Sequence, residues 1–129
     1  MVDPISNMII QIKNAGNSGH DSVSVPYSKL KYSIAEVLKK ENFIKDLDTK
    51  SEKGRKVLAL NLLIDNRVPK IKGVKRISRL SKRIYKKFSE IRPVKNGYGA
   101  LILSTSQGVM SGRDARRAKL GGEALFSIW

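Results

Sequence analysis

The sequence predicts an α+β fold: an N-terminal α-β-α-β-β lobe over residues 1–66, then a mainly antiparallel β lobe with one short helix over residues 67–129. Three observations carry this prediction. Apolar residues recur at helical spacing in two early segments, strand-length apolar or alternating runs follow them, and Pro69 with its lost backbone donor separates the halves. A chain of 129 residues, 40% of them apolar, is long enough to bury a packed core.

The elements follow in order. Asp3 can cap a first helix with Pro4 at its first position, and Ile5, Met8, Ile9 and Ile12 then line one stripe, with Gly16 at its end. "SVSVP" alternates as a short strand. Ser28 can cap a second helix whose Leu30, Ile34, Val37 and Leu38 share a face. "FIKDL" and "KVLALNLLI" read as strands joined by the polar segment "DTKSEKGR", with Leu58, Leu60, Leu62 and Ile64 on one face. The lobe boundary falls at Asn66 to Lys70. In the second half "NGYG" is turn chemistry, "ALILST" is an apolar strand, and "EALFSIW" alternates to Trp129, which predicts a packed end. Ser111 can cap a short helix through Asp114 at capping-box spacing, with Gly121 and Gly122 closing it.

Charge narrows the function. The chain carries 26 Lys and Arg against 11 Asp and Glu, a formal +15, so polyanions are its natural partners. Residues 67–95 hold 12 of the basic side chains and one acid. Ile71, Val74, Ile77, Leu80, Ile84, Tyr85, Phe88 and Ile91 interleave that block, which argues for an ordered basic face rather than a solvated tail. RNA, DNA and an acidic membrane surface all remain open on charge alone. Against DNA, no helix-turn-helix is evident; against a membrane, "KYSIAEVLKKENF" mixes Glu36 and Glu41 among its lysines. The start, Met1-Val2-Asp3-Pro4, lacks a secretory signal, and no apolar run approaches the roughly 20 residues that span a bilayer, so a soluble cytoplasmic protein is expected.

Catalytic chemistry is sparse. With no Cys and only His20, the chain offers no thiolate, no disulfide framework, no metal set and no base for a serine nucleophile. "GYGALI" lacks the third Gly of a dinucleotide fingerprint, and no phosphate-binding G-x-x-x-x-G-K-[ST] occurs. The expectation is a binder, not an enzyme, without cofactor or metal.

"STSQGVM" is the segment best suited to binding. Ser104, Thr105, Ser106 and Gly108 permit close approach of another backbone, and hydroxyls can donate to phosphates or accept from 2′-OH groups. The same residues could form a turn that satisfies only its own backbone. Tyr85 in the basic block could stack on a base or merely pack; Glu123 could accept from a hydroxyl or amino group, or stand as an ordinary strand-end residue. Ser28, Lys29 and Lys31 cluster where helix N–H groups attract phosphate, or serve as a cap beside two solvated lysines.

The motifs together resemble one known family. "DPISNMIIQIKNA", "VPYSKLKYSIAEVLKKENFI", "VKRISRLSKRIYKK" and above all "LILSTSQGVMSGRDARRAKLGGEALFSIW" are similar, over essentially the whole chain, to the bacterial-type small-subunit ribosomal protein eight, or S-eight, family. The resemblance implies a structural constituent of the small ribosomal subunit in the cytoplasm. It implies primary binding of the central domain of 16S rRNA early in subunit assembly, contact with neighbouring small-subunit proteins, and repression of translation through a similar structure in the operon mRNA. It implies RNA contacts at Ser104, Thr105, Ser106, Gly108, Gly122, Glu123 and Tyr85, with Ser28, Lys29 and Lys31 from the first lobe and Lys75, Arg76, Lys82 and Arg83 from the basic segment. Neither membrane nor DNA is an expected partner. Leu80-Ser81 stands where the family commonly has Pro-Gly, Gly112 where an acid is usual, and Ile10-Gln11 in place of Thr and Arg.

Overall fold

The computed structural model describes residues 3–65, 68–79, 81–95 and 98–129. Helix α1 (Pro4–Asn17) starts as predicted: the Asp3 carboxylate accepts from the Ile5 N–H at 3.1 Å, and Ile5, Met8, Ile9 and Ile12 are buried. Gly16 does not end it. The helix runs one residue further, Ser18 caps it, and the left-handed conformation falls to Gly19 at φ 79°. Strand β1 (Ser22–Pro26) leads to α2 (Lys29–Lys40), where the Ser28 hydroxyl accepts from the Lys31 N–H. Ile34, Val37 and Leu38 are buried, but Leu30, in the first turn, is left 41% exposed.

Strands β2 (Ile44–Glu52) and β3 (Arg55–Leu62) form one long hairpin, giving a sheet ordered β1-β3-β2 with antiparallel pairing throughout. The polar segment expected to join them is therefore mostly strand. Only Lys53 and Gly54 turn, at φ 51° and 77°, the positive pair that a tight two-residue hairpin requires. Leu58, Leu60 and Leu62 are buried on one face, while Ile64 enters a separate two-residue strand, β4 (Ile64–Asp65), paired with β5 (Val68–Pro69). Asn66 and Arg67, at the expected boundary, lie outside the described residues.

The second sheet is ordered β6-β10-β8-β9, from β6 (Val74–Arg76), β8 (Ala100–Thr105), β9 (Gly108–Ser111) and β10 (Gly122–Ile128). The short β7 (Tyr85–Lys86) pairs with the other end of β10, along the same edge as β6. A 3-10 turn (Phe88–Glu90) and helix α3 (Gly112–Arg117) complete this half. Of the expected "NGYG" turn, Asn96 and Gly97 lie outside the described residues, and the Tyr98 N–H donates to Lys95 O.

Both faces of this sheet are covered. Ala100, Ile102, Leu125, Phe126 and Ile128 join α1, α2 and the first sheet in one apolar cluster, while Leu101, Leu103 and Ala124 pack with Ile91 and Ala115 of α3. Strand β10 is consequently buried without a break from Ala124 to Ile128, not alternating, and its register shifts between Ala124 and Phe126. The first sheet lies within residues 22–62 and the second within 74–128, and the larger apolar cluster draws on both. Trp129 is packed: its N–H donates to Gly73 O, and its carbonyl accepts from Lys72 and Gly73. Gly73 leaves room for the indole, since a Cβ there would lie 2.6 Å from the ring.

Candidate nucleic-acid interface

The "STSQG" turn is the tip of the β8–β9 hairpin, where Thr105 pairs with Gly108 and Ser104 with Val109. Its backbone depends on two residues. Gly108 takes φ 108°, which L side chains rarely adopt, and the Thr105 hydroxyl donates to Gly108 O at 2.8 Å while accepting from the Gln107 N–H at 3.1 Å. Thr105 is thus satisfied within the turn. Ser106, Gln107 and Gly108 are exposed, and nothing lies within 4 Å of the position a Gly108 Cβ would take.

Strand pairing brings the other residues alongside. Directly opposed residues of antiparallel strands share a face. Glu123 opposes Tyr85 on one side and Ser104 on the other, so Tyr85, Glu123, Ser104 and Val109 form one row across β7, β10, β8 and β9. Lys86, Gly122, Thr105 and Gly108 form the next row on the opposite face. Gly122 holds the rows together. A Cβ on it would run into the Ser104 carbonyl, 2.9 Å from its carbon and 3.1 Å from Thr105 Cα, so only Gly lets β10 approach the turn this closely. Gly121 and Gly122 do not close α3 as expected. That helix ends at Ala118 with Lys119 left-handed at φ 57°, and Gly121 instead passes close to Lys86 O.

Tyr85 is 69% exposed, whereas the Glu123 side chain is only 17% exposed and accepts from the Arg83 guanidinium at 3.1 Å. The acid beside the turn is therefore neutralised, and Arg83 is oriented by it. Ser111 caps α3 by accepting from the Asp114 N–H at 3.3 Å. The Asp114 carboxylate instead receives Lys40 Nζ at 2.7 Å, which ties the end of α2 to α3. Gly112 packs against Ile91 and Leu101.

The basic segment is an edge strand with a loop thrown out of it. Ile77 and Ser78 continue the β6 ladder by donating to Leu125 O and Ala124 O, and the ladder resumes where Ile84 O accepts from Ala124. Between them Arg79 and Lys82 exchange both backbone hydrogen bonds. Ser78, fully buried, closes the neck: its hydroxyl donates to Ile84 O at 3.1 Å and accepts from the Ile84 N–H at 2.7 Å. This clamp presents the exposed Lys82 and Arg83. Leu80 lies outside the described residues.

The basic residues divide by direction. Lys75 is exposed on β6, but Arg76 turns inward, with only 10% of its side chain exposed, donating through Nε to Asp3 at 2.7 Å and through Nη1 to Leu125 O. Burial pushes the Asp3 carboxyl upward. The hydrogen bonds from Arg76 and Ser6, the Arg76 charge and the Ile5 N–H outweigh it and hold Asp3 below the usual carboxylate range. Ser28, Lys29 and Lys31 stand at the start of α2, where Ser28 is engaged as a cap, Lys31 Nζ donates to Pro26 O at 3.4 Å, and Lys29 is exposed. Sequence reasoning passed over Ser78 and the exposed Gln107. A serine amid basic residues carries no pattern, and the clamp exists only once both strands lie along β10.

The pattern of the ribosomal protein S8 family matches residues 3–129. The chain belongs to the ribosomal protein S8 family. It is 44% identical over its whole length to the small ribosomal subunit protein uS8 of Sorangium cellulosum, covering 99% of that protein. It is 45% identical to the uS8 of Heliobacterium modesticaldum, covering 98%, and 45% identical to that of Nitratidesulfovibrio vulgaris, covering 99%. The family is one of ribosomal proteins, not of enzymes, in agreement with the reading from composition and motifs.

Proposed function

We propose that the chain is a primary binder of the central domain of 16S rRNA, recognising an irregular helix by shape and by contacts to 2′-OH and phosphate groups. Membership of the ribosomal protein S8 family makes it a structural protein of the small ribosomal subunit, housed with the cytoplasmic ribosome. The observation that carries the finer reading is the row of Tyr85, Glu123 and Ser104 beside the open tip at Ser106 and Gly108. Regular A-form RNA hides its base edges in a deep, narrow groove, so a protein without a long probing element needs a distorted helix and small side chains that let its backbone come close.

The parts have distinct roles in this reading. Ser104 and Ser106 offer hydroxyls to sugar and phosphate, Gly108 leaves room for the ribose backbone, and Tyr85 stacks on or bonds to an unpaired nucleotide. Glu123, braced by Arg83, accepts from a hydroxyl or amino group. Lys75 and Lys82, with Lys29 and Lys31 on the first lobe, supply charge that attracts any phosphate, while Arg83, paired with Glu123, contacts the RNA from a fixed position. Arg76 acts from within by anchoring α1 to the second sheet. Binding of this kind orders the central domain early in assembly, and the same surface would hold an operon mRNA folded alike and so repress its translation.

Filter binding at fixed salt tests the reading. Ser106→Ala and Gly108→Val lower affinity for a central-domain rRNA fragment at least fivefold more than for uniform duplex RNA, whereas Lys82→Ala weakens both alike. Equal losses on both RNAs for all three variants would remove the basis for shape recognition.

A further inference from the structure

A second surface, away from the hairpin, is built for a different partner. A groove of about 1100 Å³ opens between the β4–β5 pair and Trp129. Its floor is Phe43, Leu63, Ile64 and Trp129, and its lip carries Val68 at 52% and Tyr98 at 84% exposure. Among the described residues this gathers two of the most exposed large apolar side chains around one concavity, the arrangement that marks association sites rather than scattered surface residues.

The rim is cationic. Among the described residues, Lys70, Lys72 and Lys95 border the groove and no Asp or Glu lines it. Two of these lysines are held over aromatic rings: Lys95 Nζ lies 4.8 Å from the Trp129 ring and Lys70 Nζ 5.9 Å from that of Phe43. Both lysines line the groove beside its apolar floor. Phe43 is buried and Lys95 already covers the Trp129 ring, so Tyr98 is the ring of the groove left open for stacking, whereas Leu63, Ile64 and Val68 suit a peptide side chain; aromatic anchors within a polar rim are common in protein interfaces.

We infer that this groove docks an acidic protein segment that inserts an apolar side chain against Trp129 and Tyr98 while its carboxylates meet Lys70, Lys72 and Lys95. The inference rests on the proposed role inside the small subunit, because it takes the partner to be a protein assembled beside this chain on the same RNA.

The test uses assembled small subunits in which either Tyr98 or Ser106 is replaced by photo-reactive benzoylphenylalanine. Position 98 is expected to crosslink to a sequenced peptide of a neighbouring protein with Asp or Glu within a few residues of the attachment point. Zero-length carbodiimide coupling is expected to join at least one rim lysine to that peptide. The double variant Val68→Ser/Tyr98→Ser, altered only at exposed positions, cuts the coupling yield at least fivefold and changes affinity for the naked rRNA fragment less than twofold. A crosslink from position 98 to RNA, to a peptide without acidic residues, or to nothing overturns the inference, as does a coupling yield unmoved by the double variant. Failure of position 106 to crosslink to rRNA in the same subunits would instead count against the hairpin as the RNA-binding surface and leave the groove standing.

Discussion

Gly108 and Gly122 lie on the same row of the second sheet and are required for opposite reasons. Gly108 has empty space around it and within the fold itself is needed only for its φ of 108°, so Gly108→Ala costs backbone strain of about 1–3 kcal/mol without a clash inside the protein. Gly122 is needed for space. Its missing Cβ would press on the backbone of Ser104 and Thr105, which cannot swing aside as a side-chain tip can, so Gly122→Ala should cost about 3 kcal/mol, the upper end for overpacking. Urea unfolding of the two variants checks both, and a Gly122→Ala protein as stable as the parent would contradict the close approach. Thr105→Val, which keeps the shape but removes the two turn bonds, should loosen the tip while leaving the unfolding midpoint nearly unmoved.

Among the elements, the edge strand with its ejected loop and helix α1 each hang on one buried polar contact. Ser78→Ala strands the Ile84 N–H in the interior, a loss of about 1–3 kcal/mol, and frees the loop bearing Lys82 and Arg83. Affinity for the rRNA fragment should fall with it, although Ser78 touches no solvent. Helix α1 is tied to β6 by the Asp3–Arg76 pair. Because the folded protein lowers the Asp3 pKa, the pair adds stability above the unfolded value of about 3.9, and that stability is lost as pH falls through the lower folded value. Asp3→Asn keeps a good helix cap but no charge. The difference in unfolding midpoint between parent and variant should therefore be present at neutral pH and shrink below pH about 4; a gap unchanged at low pH would show that the charge contributes nothing.

At the scale of the whole molecule, charge and shape act separately. The net charge of +15 draws the protein to any polyanion, and if about six phosphates are neutralised, log affinity should fall against log salt with a slope of about 4 to 5. Lys82→Ala should reduce that slope by nearly one unit, whereas Ser106→Ala should lower affinity and leave the slope alone; titrations over a range of salt would separate the two. The larger apolar cluster, which joins both sheets and the first two helices, holds the start of α2 and the hairpin in one framework, so a core substitution such as Ile102→Ala, at about 2–5 kcal/mol, should weaken both halves together.

Local chemistry determined much of this protein. Caps at Asp3, Ser28 and Ser111, the apolar stripes of α1 and α2, and the strands at residues 22–26 and 100–105 were all legible, because each is decided by residues a few positions apart. The resemblance of the closing motifs pointed to the family that the full-length relatives share. What the sequence did not disclose depends on distant partners. Strands of two or three residues such as β6 and β7 have no periodicity of their own and form only because β10 offers an edge to pair with. Layers on both faces of the second sheet erased the alternation expected of β10. Only folding could decide that Arg76 faces inward, that Arg83 pairs with Glu123, and that Gly121 and Gly122 serve backbone approach rather than a helix end, since each follows from an atom more than 15 residues away in the chain.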